Sequence, residues 1–191
     1  MILILCGKSG CGKDSIMKKL IRFGFNPLIS YTTRPKRDGE QDGKEYHFVS
    51  DSDFQSMIEK DELIEYRTYD TIFGKWYYGL KKTKINQHKN YIVILDLEGA
   101  NSLKYYYGKE NCFVCFIDVY DSIRTERAKK RGSFNEDEWN RRMETDNKDF
   151  SRNNVLFNSD CCVENNYSLS TCLSDILTNF IHRNFNQIWG V

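Results

Sequence analysis

Proline is nearly missing from this chain, with two in 191 residues, and histidine is little commoner at three. Without stretches rich in proline or serine there is no linker on which a second domain could be strung, and the length suits one compact domain with a mobile subregion. The three histidines are scattered, so they suggest no metal site. Long apolar runs are lacking as well. Runs such as MILILC and YIVIL fall far short of the roughly 20 residues that cross a bilayer. Neither sign of charge dominates, since 28 Lys and Arg face 27 Asp and Glu for a net +1. That balance exerts no global pull on nucleic acid or membrane, and neither is expected as a partner. No basic and apolar leader pattern opens the chain, so a cytoplasmic protein is expected.

Seven cysteines are present, yet their spacing argues against a metal or a disulfide framework. Cys112 and Cys115 form a CxxC inside CFVCFIDV, which reads as a buried strand. Residues three apart on a strand face opposite sides and do not converge on one zinc. An odd count with no secretion signal points to reduced thiols.

The chain alternates between strand and helix patterns. MILILC reads as a strand, and Ile16, Met17, Leu20 and Ile21 give residues 15–23 a helical spacing. A polar, glycine-marked loop, TTRPKRDGEQDGKEY, leads to a short strand at 46–49. Asp51 or Ser52 is placed to cap a helix through Lys60, and LIEYR follows as a strand. A helix is expected over 81–88, then the buried strand YIVILD, a helix over 100–107 and the strand CFVCFIDV. Charged helices are expected over 121–130 and 136–150. In the last helix Cys172, Leu173, Ile176, Leu177, Phe180 and Ile181 form an apolar stripe that Phe185, Ile188 and Trp189 continue, with His182 off it. Near-continuous apolar strands alternating with helices imply an α/β fold with a parallel sheet covered on both faces.

Chemistry concentrates in two stretches. In GKSGCGKDS, Gly7-Lys8-Ser9-Gly10-Cys11-Gly12-Lys13 follows a strand and opens a helix, the context in which this spacing cradles phosphate. Glycines let the backbone N–H groups curl inward, the helix start adds positive potential, and Lys13 adds a full charge. Asp14 stands where a hydroxyl usually follows the lysine. A carboxylate repels a phosphate unless a cation lies between them, so either Asp14 holds Mg²⁺ or its waters, or Ser15 supplies the missing hydroxyl. In SYTTRPKRDGEQDGKEYHF, Arg34 and Arg37 flank Pro35 at a turn and Tyr46 follows. Two guanidiniums and a phenol on one point would grip a phosphate monoester. Spacing alone equally allows a solvated charged loop. Glu65 could accept the paired N–H donors of guanine, or simply decorate a surface. Asp96 ends an apolar strand, where ligands and Mg²⁺ water gather in open parallel sheets. Arg127 and Arg131, four apart, share a helix face, and Arg142 follows within WNRR; such arginines close over a phosphoryl group or solvate a helix.

The order of these pieces resembles the guanylate kinase family. The resemblance is carried by the phosphate loop, by SYTTRPKRDGEQDGKEYHF (30–48), IEY (64–66), YYG (77–79), ILD (94–96) and RAKKRG (127–132), and it runs from Met1 to about Asp160. It implies a P-loop, three-layer fold of the nucleoside-monophosphate kinase type. A core (1–29, 81–125 and 151–191) would carry a monophosphate-binding insert (30–80) and a helical lid (126–150). It further implies that Lys13 and its loop, residues 7–15, bind ATP, that Ser30 and Glu65 read guanine, and that Arg34, Arg37, Tyr46 and Tyr78, with Asp96, complete the GMP site. Arg127, Arg131 and Arg142 would act on the phosphoryl group, with Mg²⁺ held near Asp14, Ser15 and Asp96. The implied reaction is ATP + GMP giving ADP + GDP, with dGMP accepted as well, in a monomer or weak homo-oligomer. Three features depart from the family pattern: Asp14 after the lysine, Leu80 after YYG where Ser or Thr is usual, and altered lengths in TYDTIFGKW and ILDLEGAN. Two alternatives follow from them: a kinase of another nucleoside or sugar monophosphate on the same scaffold, or a module that only binds phosphorylated ligands.

Overall fold

The computed structural model describes residues 1–130 and 134–189, with side chains as far as residue 184. Two compact units emerge: Met1–Pro27 with Gln87–Val191, and Leu28–Asn86.

The first unit is built on five parallel strands. These are β1 (Ile2–Cys6), β2 (Asn26–Pro27), β7 (Tyr91–Ile94), β8 (Cys112–Asp118) and β9 (Cys161–Glu164), in the order β2-β7-β1-β8-β9. Strand β1 is central and every residue of it is buried, which is why it reads as an unbroken apolar run rather than an alternation. Helix α1 (Lys13–Arg22) buries Ile16 and Leu20, and α7 (Leu169–Trp189) buries Cys172, Ile176 and Phe180 in the same core. The Phe180 ring lies 5.3 Å from that of Phe25 and 5.9 Å from that of Phe113. Helices α3 (Leu97–Tyr107), α4 (Asp121–Lys129), α5 (Glu136–Asp149) and α6 (Arg152–Asn158) complete the unit. The chain leaves β1 toward β2 and later returns to its other side as β8, so the strand order reverses at β1. A crevice opens beyond the carboxyl ends of strands at such a point, and Gly7–Gly12 is the segment that lies there.

The second unit is a four-stranded sheet ordered β4-β3-β6-β5. Its strands are β3 (Tyr31–Thr32), β4 (His47–Phe48), β5 (Leu63–Thr71) and β6 (Gly74–Lys81), with helix α2 (Asp51–Glu59) between β4 and β5. Strands β5 and β6 form one long antiparallel hairpin. Its close packing needs a glycine at 79, where a Cβ would sit 2.9 Å from Phe54 Cζ and 3.0 Å from the Glu65 carbonyl oxygen.

Several elements differ from expectation. Residues 81–88 form no helix: Lys81 ends β6, and the Lys82 N–H donates to the Glu62 carbonyl at 2.8 Å, prolonging the ladder beyond the last paired residue. The ion pairs Lys81–Glu62 and Lys82–Asp61, each at 2.6 Å, tie that stretch to the start of β5. The cap of α2 is Ser50, whose hydroxyl accepts the Asp53 N–H at 3.1 Å. Asp96 ends no strand; it caps α3, which therefore starts at Leu97 instead of residue 100. TYDTIFGKW spans the turn of the β5–β6 hairpin, and α6 and β9 were not anticipated at all. The side chains of Phe185, Ile188 and Trp189 fall outside the described residues, whereas His182 is exposed as expected.

Candidate active site

In the first unit the chain turns directly from β1 into a loop that sequence spacing marked for phosphate. Gly7, Gly10 and Gly12 adopt φ of 150°, 79° and 99°. The last two are left-handed values that cost an L side chain dearly. Space forbids one as well: a Cβ on Gly10 would lie 2.9 Å from the Arg124 carbonyl oxygen, and one on Gly12 2.7 Å from Asn165 Nδ2. No side chain caps α1 at Gly12, so its first turn presents N–H groups toward the loop. Lys13 Nζ donates to the carbonyls of Gly7 at 2.5 Å and Lys8 at 3.2 Å and lies 3.6 Å from Cys11 Sγ. The ammonium is thus held over the loop by the loop itself. Asp14 and Ser15 are exposed on the first turn of α1.

The arginines expected of a lid fare differently from one another. Arg127 donates to the carbonyls of Cys11 at 3.4 Å and Asn165 at 2.8 Å, which ties α4 to the loop. Arg142 Nε donates to Glu138 Oε1 at 2.8 Å, and Arg141 donates to both oxygens of the same carboxylate at 2.9 Å. Burial would raise the Glu138 carboxyl, but these hydrogen bonds override it and hold the group at about 2. Arg131 lies outside the described residues.

In the second unit a cluster forms around Arg34, whose side chain is buried. Its Nη2 donates to Glu40 Oε1 and Oε2 at 2.8 and 3.0 Å, and its Nη1 to the Pro35 carbonyl at 2.7 Å. The guanidinium stands over the rings of Tyr46 and Phe48, 5.5 and 5.6 Å from their centroids, and the Tyr46 and Tyr78 rings meet edge to face at 5.7 Å. The Arg37 backbone N–H donates to Glu40 Oε2 at 2.8 Å. Glu40 thereby sets both Arg34 and the turn bearing Arg37. Burial alone would raise its carboxyl, yet the Arg34 and Arg37 hydrogen bonds pull it below the ordinary range. Burial likewise works against the Arg34 charge, and Glu40 more than restores it. Glu65 is buried in β5 opposite Leu80, itself buried. The Ser30 carbonyl accepts the His47 N–H at 2.9 Å.

The structure therefore brings together Arg34, Arg37, Tyr46 and Tyr78 in one unit, and Gly7 to Lys13 with Arg127 in the other, where Asp96 accepts the Gly99 N–H at 2.7 Å. Sequence reasoning missed Glu40, Thr32, Arg124, Glu138, Asp146 and Asn165. Glu138 was within reach, since Arg141 and Arg142 follow it at the i+3 and i+4 spacings of a helix face. Glu40 bonds Arg34 and Arg37 within one local turn, at separations of 6 and 3 residues, whereas Thr32, Arg124, Asp146 and Asn165 also meet distant partners that only tertiary packing brings near.

Among the described residues no group of three or more His, Cys, Asp and Glu gathers as an ion cage. Mg²⁺ seldom uses one; it takes one or two protein oxygens and completes its shell with phosphate and water. The Asp14 carboxylate and Ser15 hydroxyl are hard oxygen donors at the mouth of the loop, and they fit such an ion.

The guanylate kinase family model matches residues 1–181. Guanylate kinase 2, chloroplastic/mitochondrial, of Oryza sativa subsp. japonica is 35% identical over 133 residues, 66% of this chain and 45% of that protein. Guanylate kinase of Thermotoga maritima is 33% identical over 135 residues, 69% of this chain and 64% of that protein. The match thus spans less than two thirds of either relative's length. Among solved structures, guanylate kinase from Anaplasma phagocytophilum superposes with a TM-score of 0.70 at 21% identity, covering 96% of this chain and 86% of that one; this likeness concerns the fold.

Proposed function

This chain belongs to the guanylate kinase family, and from that premise we propose that it transfers the γ-phosphate of ATP to GMP, giving ADP and GDP. The observation that carries the reading is the loop from Gly7 to Lys13, which leaves a buried central strand and opens α1 with its lysine held over it. A glycine-rich loop of this form binds a polyphosphate through backbone N–H groups and an ammonium. We assign the buried Arg34, with Arg37, Tyr46 and Tyr78, to the monophosphate of GMP, and Ser30 and Glu65 to its base. A guanidinium already oriented by Glu40 loses little freedom when it takes up a phosphate.

In the reaction an oxygen of the GMP phosphate forms a bond to the γ-phosphorus. The bond to the β–γ bridging oxygen breaks, and ADP departs with that electron pair. At neutral pH the attacking oxygen carries no proton, so no general base is required. What remains is positioning and neutralisation of charge. Lys13 neutralises charge on the transferring group, and Arg127, Arg131 and Arg142 are assigned to the same task. Mg²⁺, for which Asp14 and Ser15 are the donors and Asp96 a further candidate, supplies charge neutralisation on the nucleotide phosphates.

No described helix is long and apolar enough to cross a membrane. All seven cysteines are free, and burial pushes the Cys112 and Cys172 thiols up to about 11. Unpaired cysteines suit a reducing compartment, and we place the protein in the cytoplasm. Leu80 favours a second reading. A buried leucine opposite Glu65 in the sheet offers the base no hydrogen bond, which leaves room for another nucleoside monophosphate as acceptor.

An initial-rate panel separates these readings. ADP formation from MgATP would be followed with GMP, dGMP, AMP, UMP and CMP offered singly, and with Lys13→Ala as the control. Turnover with GMP or dGMP that vanishes in Lys13→Ala supports the proposal. Turnover confined to another monophosphate transfers support to the second reading, and binding without turnover would indicate a module that only holds phosphorylated ligands.

A further inference from the structure

A buried ion pair, Arg124 with Asp146, sits directly on the phosphate loop. Arg124 is fully buried. Its Nη1 donates to the Ser9 carbonyl at 2.7 Å and to Asp146 Oδ2 at 3.1 Å. Its Nε and Nη2 donate to Asp121 Oδ1 at 3.2 and 2.7 Å. Asp146 accepts the Ser9 backbone N–H on Oδ2 at 2.7 Å and the Ser9 hydroxyl on Oδ1 at 3.3 Å. Both backbone polar groups of one loop residue are therefore held by two side chains of opposite charge, one from α4 and one from α5. The Trp139 indole backs the guanidinium at 5.9 Å and closes the space beside Gly10, where a Cβ would lie 3.2 Å from its Cη2. A second tether joins the same elements, Lys8 Nζ donating to Asn147 Oδ1 at 2.8 Å.

An ion pair in such a place is a poor way to stabilise a fold, because removing two charges from water offsets most of their attraction and a packed apolar pair does as well or better. What an apolar pair lacks is direction. It offers Ser9 neither a donor nor an acceptor. The loop has glycines on both sides of Ser9, so its backbone has few side chains of its own to restrain it, while a site for charge must be ordered before the charge arrives. Asp146 also lies one helical turn beyond Arg142 and two beyond Glu138, so all three share a face of α5. Whatever fixes Asp146 to the loop fixes the height of Arg142 along that helix.

We infer that Arg124 and Asp146 form a positioning clamp: acting through Ser9, they hold the loop in the curvature that receives the triphosphate of ATP and set α5, with Arg142, in register with it. The inference rests on the reading of this loop as the ATP site. The residues it names all belong to the unit 1–27 with 87–191, and it predicts an effect on ATP rather than on GMP.

The double variant Arg124→Leu/Asp146→Leu tests it, since removing both partners leaves no unpaired charge in the core. Calorimetry would give Kd for MgATP, initial rates would give KM for GMP, and thermal denaturation would give Tm. The clamp predicts a folded variant with Tm near or above that of the parent, ATP binding weakened about tenfold or more, and KM for GMP within about twofold of the parent. A folded variant with unchanged ATP affinity would overturn it. Should the double variant not fold, Arg124→Lys decides by the same criterion: it keeps the charge but cannot reach Ser9, Asp146 and Asp121 together, so weaker ATP binding supports the clamp and unchanged binding overturns it. If the parent binds MgATP but does not phosphorylate GMP, the proposed function fails while the comparison of ATP affinities still decides the clamp. If the parent does not bind MgATP, the clamp falls as well.

Discussion

Thr32 shows how much one side chain organises. It is fully buried, its Oγ1 donates to the Tyr77 carbonyl at 2.9 Å, and the same oxygen accepts the Arg34 backbone N–H at 3.1 Å. Replacing it with valine preserves the shape but orphans the Arg34 N–H, while the Tyr77 carbonyl keeps only the Thr33 N–H, at 3.1 Å. Thr32→Val is therefore expected to lower stability by about 1–3 kcal/mol and to raise KM for GMP through a loosened Arg34; a denaturation curve and initial rates check the two effects separately. Glu138 makes a prediction about pH. Its carboxyl falls from an ordinary 4.5 to about 2 in the fold, so its contribution is fully present above pH 4.5 and is lost as pH falls toward 2. Glu138→Gln is expected to be less stable than the parent at pH 7, and the gap should narrow steadily below pH 4.5. A gap independent of pH would mean that the charge is not what stabilises. At this scale the site was only partly legible. Gly7, Gly12, Lys13, Arg34 and Arg37 announce themselves by spacing along the chain. Arg124 and Asp146 do not, because their pairing joins two helices and their common partner Ser9 lies more than 100 residues upstream of either, at sequence separations of 115 and 137.

Strands and helices were legible where one physical rule governed a long enough run. Strands β1, β7 and β8 lie in the core of a parallel sheet and so show continuous apolar residues; α1, α4, α5 and α7 show helical periodicity or a run of charge. The two-residue strands β2 and β3 carry no period at all, and pairing defines them, whereas β4 falls within the short strand expected over 46–49. The helix expected over 81–88 fails for a related reason. Polar residues there satisfy a helix pattern on paper, but Leu80 and Gly79 are already committed to the β5–β6 ladder, and ion pairs from Lys81 and Lys82 extend that commitment. Gly79 is the element's weak point. An added methyl would press on the Glu65 carbonyl, which is backbone and moves little, so Gly79→Ala is expected to destabilise by about 1–3 kcal/mol. Denaturant titration measures this, and an unchanged midpoint would show that the hairpin gives way more easily than its geometry suggests.

At the level of the whole molecule, the two chemistries proposed for this chain fall to two compact units, the glycine loop with Lys13 in residues 1–27 with 87–191 and an arginine–tyrosine cluster in residues 28–86. Net charge near zero leaves both to local arrangement rather than to a global field. The α/β class was legible from the alternation of elements, whereas the second unit was legible mainly through its resemblance to a family, since its short strands speak weakly in isolation. The central claim is that these two chemistries serve a single transfer. Phosphorus NMR of MgATP mixed with GMP and the protein tests it most directly. The account predicts that the β-phosphorus signal of GDP grows in step with loss of the ATP γ signal, and that Lys13→Ala abolishes both changes. Appearance of inorganic phosphate in place of GDP, or an unchanged rate in Lys13→Ala, would contradict it.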